Sequence, residues 1–311
     1  MHFQPLHFGW VALPPRPKAV IVFIGGAFFG SFPTVFYRGF LKTVYDLNYG
    51  VVALPFRFAF RHWDIALSLT SYAKEFRDEV EALRNAEAKQ AEHPETIPYL
   101  WIAHSLGCKY VALLELLSEK EELCKMEAIM KALQQVAPSQ VRELQAKMNL
   151  IDGKQISLRN QPQVLVDPVI ANLDAAIPFK PLEKLFAPLL KVSPSREITF
   201  QLIRQTELFS LTWILSLGSQ TAKDTVATLV SIAKPRRLPS SKPTKISLTN
   251  CKPLLGRHLS ILGFASTDQG ISQEITKKLE ELYPVALAYQ QGSIAGGNES
   301  AGADRGHRPP D

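Results

Sequence analysis

The stretch Tyr99-Leu100-Trp101-Ile102-Ala103-His104-Ser105-Leu106-Gly107-Cys108 decides the fold. Its first half is an apolar block of strand length, its second half is small and polar, and a helical apolar pattern from Val111 to Leu117 follows at once. A strand that turns abruptly into a helix around a serine has the form of a nucleophile elbow, where the serine sits on a strained turn and its flanking positions must be small. Ala103 and Gly107 meet that need. The start of the following helix would bring the Leu106 backbone N–H and a positive dipole end to any oxyanion formed at Ser105. His104 adjoins the serine, but the strained turn directs the two side chains apart, so it is read as a structural residue.

Outward from this stretch, short apolar blocks alternate with longer segments of helical period, the pattern of parallel strands joined by crossover helices. The expected strands are Trp10 to Leu13, Ala19 to Ile24, Val51 to Pro55, Tyr99 to Ala103, Gln163 to Val166, Leu211 to Leu217 and Lys245 to Thr249. Most are apolar throughout, so both faces of the sheet should be covered. Pro33 to Asn48 places Phe36, Phe40, Leu41, Val44 and Tyr45 on one helical face, and Trp63 to Leu83 repeats the pattern through Ile65, Leu69, Tyr72, Phe76, Val80 and Leu83. The class is therefore α/β, with a mostly parallel sheet and helices on both faces.

Two regions exceed a minimal alternation. Residues 119–150 form a charged amphipathic stretch broken at Pro138, and residues 170–209 carry Pro178, Pro181, Pro188 and Pro194 between apolar clusters. Each is either a helical lid over a site or a peripheral insertion that covers apolar surface. The rest of residues 1–290 reads as one domain. Residues 291–311, rich in Gly and polar residues, read as a disordered tail.

With 311 residues, 46% of them hydrophobic and 21% charged, the chain can bury a large core, which excludes disorder as its general state. The net charge of +6 permits an anionic partner without requiring one. Cys108, Cys124 and Cys251 are scattered and contain no CxxC pair, so neither a disulfide framework nor a zinc site is expected, and a reducing compartment fits. Neither metal nor organic cofactor is called for. Met1 to Trp10 lacks the pattern of a secretory signal. The uncharged run between Lys18 and Arg38 has the length of a membrane span, about 20 residues, but Gly25, Gly26, Gly30 and Pro33 divide it into a strand and a loop.

A serine hydroxyl needs a neighbouring base before it becomes a good nucleophile. Of the seven histidines, His2, His7 and His93 lie before or between elements, His62 begins a helix and His307 lies in the expected tail. His258, in Leu255-Gly256-Arg257-His258-Leu259, follows the last expected strand, where the Ser, acid, His order of α/β-hydrolases would put the base. Gly25-Gly26-Ala27-Phe28, after the strand Ala19 to Ile24, resembles the loop that gives those enzymes their second oxyanion donor, which would be the Ala27 N–H. The alternative is an ordinary tight turn.

Together, Phe23-Ile24-Gly25-Gly26-Ala27-Phe28, His104-Ser105-Leu106-Gly107-Cys108-Lys109 and Gly256-Arg257-His258-Leu259-Ser260-Ile261-Leu262-Gly263 resemble blocks of an uncharacterised α/β-hydrolase-like family of cyanobacteria and plastids. The resemblance spans roughly Phe8 to Gly263. It implies a hydrolase-type fold, a setting in the cyanobacterial cytosol or plastid stroma, and Ser105 with His258 at catalytic positions. It supplies no substrate. In the resembling proteins an aspartate commonly follows the penultimate strand, where this chain has Gln220; Asp224, one turn on, is the first choice of acid, or else merely opens a helix. Asp167, at the end of Val164-Leu165-Val166-Asp167-Pro168, is the alternative, and Asp268 lies beyond His258.

The expected function is a serine hydrolase acting on an ester or thioester, with a hydrophobic, lipid-like acyl group consistent with the apolar insertion. Gln220 motivates a rival, a catalytically weak or inactive relative that binds a ligand or partner. Between Thr225 and Thr267 there is no Asp or Glu, while Lys234, Arg236, Arg237, Lys242 and Lys245 are basic, so this segment either touches an anionic membrane or is a solvated loop. No aromatic residues interleave with these charges, which argues against nucleic acid. The sequence carries no signal of oligomeric state.

Overall fold

The strand Ala19–Ile24 is buried at every position. Val20, Val22 and Ile24 enter one core cluster while Ala19, Ile21 and Phe23 enter another, because successive strand side chains point to opposite faces. Two cores therefore lie on the two faces of one sheet. The computed structural model describes residues 1–87, 97–118, 161–170, 192–205, 211–232, 236–237, 243–244, 248–250, 257–262 and 269–299, with single positions between 130 and 158.

The strands are β1 (Gln4–Leu6), β2 (Gly9–Ala12), β3 (Ala19–Ile24), β4 (Tyr49–Leu54), β5 (Tyr99–His104), β6 (Gln163–Val166), β7 (Thr212–Ser216), β8 (Arg236–Arg237), β9 (Pro243–Thr244) and β10 (Leu248–Asn250). Eight of them form one sheet in the order β1-β2-β4-β3-β5-β6-β7-β10. Only β1 with β2 and β2 with β4 pair antiparallel; the rest are parallel. The β3 and β5 blocks are all apolar up to His104, as expected for strands covered on both sides. The edge strand β1 was not expected, since three residues containing Pro5 carry no legible alternation.

The helices are α1 (Pro33–Phe36), α2 (Arg38–Asp46), α3 (His62–Glu87), α4 (Gly107–Ser118), α5 (Arg196–Gln205), α6 (Gln220–Ile232) and α7 (Gln269–Glu299). On one face, α2 contributes Phe40, Leu41 and Val44 and α7 contributes Ile271, Ile275, Leu279 and Leu282. On the other, α3, α4, α5 and α6 pack through residues such as Phe76, Val111, Phe200 and Leu229. The single helix expected over Pro33 to Asn48 is divided at Tyr37, whose φ of -107° and ψ of 13° leave the helical basin. Of the expected tail, residues 291–299 are the last part of α7, and the remainder lies outside the described residues. Once a helix is nucleated, each added residue gains a backbone bond, and Gly292, Gly296 and Gly297 do not halt it.

Most of the two expected insertions lies outside the described residues, apart from residue 170, residues 192–205 and the isolated positions between 130 and 158. So do Lys234, Lys242 and Lys245; the backbone of Arg236 and Arg237 pairs with β9 in a two-stranded ribbon. No helix among the described residues is long and apolar enough to cross a membrane.

The contact that seats α4 is set by Gly107. A Cβ there would lie 2.4 Å from the Gly25 carbonyl oxygen and 2.5 Å from that of Ile24. Neither backbone group can swing away as a side-chain tip would. Gly107→Ala should therefore destabilise the fold by about 1–3 kcal/mol or more, read as a lower midpoint in urea unfolding.

Candidate active site

Strands β5 and β6 pair in parallel with His104 opposite Val166. The next residue of each chain, Ser105 and Asp167, thus leaves the sheet at the same level. Both take positive φ, 54° and 45°. Such a conformation costs an L-residue energy, and here it is held by the ladder: Ser105 N–H donates to the Val166 carbonyl at 3.1 Å and Asp167 N–H to the Leu215 carbonyl at 2.7 Å. The Ser105 carbonyl in turn accepts from Val169 N–H at 3.1 Å.

His258 reaches this rim from the 3-10 turn Arg257–Leu259. Its Nε2 lies 2.8 Å from Ser105 Oγ, and its Nδ1 lies 2.5 Å from Asp167 Oδ2. The carboxylate that meets the imidazole is therefore the alternative of the sequence reading, and the first choice, Asp224, is corrected. Asp224 is exposed on α6, one turn after Ser219, while Gln220 opens that helix, also exposed. The helix turns Asp224 to solvent because Ala222, Thr225, Val226 and Leu229 take its inward face. Asp268 lies outside the described residues.

Ser219 fills the position after β7. Its hydroxyl donates to Asp167 Oδ2 and lies 3.4 Å from His258 Nδ1, while it also caps α6 by accepting from Ala222 N–H at 3.1 Å. The other carboxylate oxygen, Oδ1, accepts from Leu217 N–H at 2.9 Å. Burial alone would raise the Asp167 pKa, but bonds from His258, Ser219 and the Leu217 N–H outweigh it, and the carboxyl is held below its usual value. Asp167 is fully buried, whereas the His258 side chain keeps 20% exposure and Ser105 only 8%. The imidazole is the most open member of the group.

Gly26 stands against the serine: a Cβ on it would lie 3.0 Å from Ser105 Cβ. This brings the Gly25–Phe28 loop beside the elbow. Among the described residues no acceptor is paired with the backbone N–H of Ala27 or of Leu106. Both donors are therefore free to meet an incoming acceptor. Sequence reading passed over Tyr37 and Ser219. Ser219 had a signal, a serine immediately before a helical pattern, but that signal describes a cap and is silent on a carboxylate arriving from another strand.

His104 is buried between two partners. Its Nδ1 is 3.0 Å from the Tyr37 hydroxyl and its Nε2 is 2.9 Å from the His258 carbonyl oxygen. Burial, and then the charge on His258, lower its pKa to about 3. His62, at the start of α3, is lowered to about 2 by burial and then by Lys109. Among the described residues no cluster of His, Cys, Asp and Glu could hold a metal ion.

A family model described as "Protein of unknown function (DUF1350)" matches residues 2–205, about two thirds of the chain, and the chain belongs to that family. No curated protein matches it. Among solved structures it is similar to the carboxylesterase Cest-2923 from Lactobacillus plantarum WCFS1, at 9% identity and a TM-score of 0.52, covering 92% of this chain and 99% of that one. A lipase/esterase from Lactobacillus plantarum matches at 11% identity and a TM-score of 0.48, covering 92% and 98%. Fungal esterases from Rhizomucor miehei match at 14% identity and a TM-score of 0.47, covering 91% and 83%. At such identities the likeness speaks to the fold alone, and the fold is that of the α/β-hydrolases.

His62 and His104 are neutral in the folded chain, whereas in the unfolded chain they take up protons near about pH 6.5. Below that pH the unfolded state binds more protons, so the stability present above it is lost as pH falls toward the folded values. Asp167, held low, acts in the same direction at still lower pH. The melting temperature should fall steadily from about pH 7 to about pH 4; a flat profile by calorimetry would contradict these assignments.

Proposed function

We propose that this member of the DUF1350 family is a serine hydrolase that cleaves esters or thioesters through Ser105, His258 and Asp167. The observation that carries the reading is the continuous contact from Ser105 Oγ to His258 Nε2 and from His258 Nδ1 to Asp167 Oδ2. With Nδ1–H donating to the carboxylate, Nε2 is bare and faces the serine hydroxyl, the tautomer a general base requires.

Attack moves the Ser105 proton to His258 Nε2 as Oγ bonds to the substrate carbonyl carbon. The carbonyl oxygen becomes an oxyanion, and the N–H groups of Ala27 and Leu106 are assigned to hold it. Asp167 stabilises the imidazolium without taking its proton. When the tetrahedral intermediate collapses, the leaving alkoxide or thiolate takes the proton from Nε2 and an acyl-serine remains. Water then repeats the sequence with His258 as base, releasing the acid and restoring Ser105.

For the acyl group, support comes from the apolar side chains near the site. Phe28 and Phe32, which follow Ala27, are 54% and 63% exposed, and Leu259, beside His258, is 47% exposed. They favour a hydrophobic, lipid-like acyl chain. The setting implied by the sequence resemblance, cyanobacterial cytosol or plastid stroma, belongs to the same proposal, as does contact of Lys234, Arg236, Arg237, Lys242 and Lys245 with an anionic membrane. The rival reading of an inactive relative drew on Gln220, and with Asp167 at the imidazole no specific observation favours it.

A fluorophosphonate probe should label the native chain at Ser105, with labelling abolished in Ser105→Ala. On a p-nitrophenyl ester, Asp167→Asn should lower kcat by about 10⁴, the loss seen when the orienting carboxylate of a serine triad is neutralised, while Asp224→Asn leaves it unchanged. Equal labelling of wild type and Ser105→Ala, or a larger loss at Asp224 than at Asp167, would overturn the assignment.

A further inference from the structure

Three hydrogen bonds run from the loop after β3 to the main chain of His258. Gly26 N–H donates to the Tyr37 hydroxyl oxygen at 2.7 Å, the Tyr37 hydroxyl lies 3.0 Å from His104 Nδ1, and His104 Nε2 lies 2.9 Å from the His258 carbonyl oxygen. Only one arrangement of protons in a neutral His104 satisfies all three. A carbonyl oxygen can only accept, so Nε2 must carry the proton; Nδ1 is then bare, and the Tyr37 hydroxyl must donate to it. The Tyr37 oxygen accepts from Gly26 at the same time. Each link thus fixes the direction of the next.

We propose that Tyr37 and His104 are positioning residues, a strut that holds the catalytic base at a set distance from the oxyanion loop. The inference rests on the serine hydrolase reading above. Both ends of the strut grip backbone rather than reacting groups: one end holds Gly26, adjacent to Ala27, and the other holds the carbonyl of His258 itself. His258 needs such a hold because it sits on a short 3-10 turn and its side chain is partly exposed. The strut is dry, with Tyr37 fully buried and His104 1% exposed, so water does not replace a lost link. The fit is also tight. A Cβ on Gly26 would come within 3.3 Å of both His104 Nδ1 and the Tyr37 oxygen, and Tyr37 packs edge-on to Phe23 with ring centres 4.7 Å apart.

The charge state of His104 serves the same end. Its ring centre is 5.0 Å from that of His258. A cation there would oppose the imidazolium that forms at His258 during attack, but burial keeps His104 neutral in the working range. A merely space-filling residue would not need to meet this condition.

The test uses the full chain as wild type, Tyr37→Phe, His104→Leu and His104→Gln, with p-nitrophenyl butyrate turnover, fluorophosphonate labelling rate, thermal melting and imidazole nitrogen NMR. Tyr37→Phe and His104→Leu should lower kcat and the labelling rate by about tenfold to a hundredfold with little change in KM. His104→Gln, whose side-chain amide still donates toward the His258 carbonyl, should recover most of the loss. Wild-type spectra should show His104 protonated on Nε2 alone down to about pH 5, and Tyr37→Phe should shift the His258 signals as well. Folded variants with wild-type kcat, variants that lose melting temperature while kcat per folded molecule is unchanged, or a proton on His104 Nδ1 would each overturn the strut. An inert wild type would overturn the hydrolase reading and leave the hydrogen-bond strut to be judged by the nitrogen spectra: a proton on Nε2 and a His258 response to Tyr37→Phe support it, and their absence refutes it.

Discussion

The close approach of α4 to the end of β3 governs everything at the rim of this sheet. With no side chain at Gly107, the first turn of α4 can pass against the carbonyls of Ile24 and Gly25. That places the turn before it, at Ser105, in the left-handed region and brings Gly26 against the serine. The turn at Ser105 and the Gly25–Phe28 loop are therefore two sides of one backbone contact. A change that opened it would move Ser105 and the Gly25–Phe28 loop apart together.

Parallel pairing extends this order sideways. Because β5 and β6 end in register, Ser105 and Asp167 leave the sheet at one level, each held by a backbone bond to the neighbouring strand. Ser219 and the Leu217 N–H, at the end of β7, then close around the carboxylate. The result is a buried anion with its lone pairs occupied, which is the condition for keeping a carboxylate charged away from water. Tyr37, through His104, meets the His258 main chain from the other side.

The strands and the elbow were legible because their signals are local: Ala19 to Ile24 is an apolar, β-branched block ended by glycines, and Ala103 to Gly107 puts small residues where backbones must meet. Chain order sufficed to choose His258 among seven histidines, and it lies 2.8 Å from Ser105. The carboxylate at the imidazole was harder. Asp224 and Asp167 each follow a strand, and only three-dimensional register distinguishes the end of β6 from the first turns of α6. Tyr37 was illegible for a related reason: in a helical pattern it is one more aromatic, and its role arises from a partner 67 positions away. The break in the helix at Tyr37 falls two residues before Gly39, a glycine that the run of apolar residues at helical spacing masks.

Ser105 and Asp167 are anchored to the sheet ladder, while His258 arrives on a 3-10 turn beyond the last strand. These parts do not share one resistance to thermal agitation, since a turn can open at far less free energy than a central strand. On gradual warming, the imidazole would then leave its two partners, with a shallow enthalpy, before the calorimetric transition of the sheet, and would return on cooling. Thermal tolerance of the Ser105–His258–Asp167 contact is improved by stiffening the turn rather than by enlarging either core.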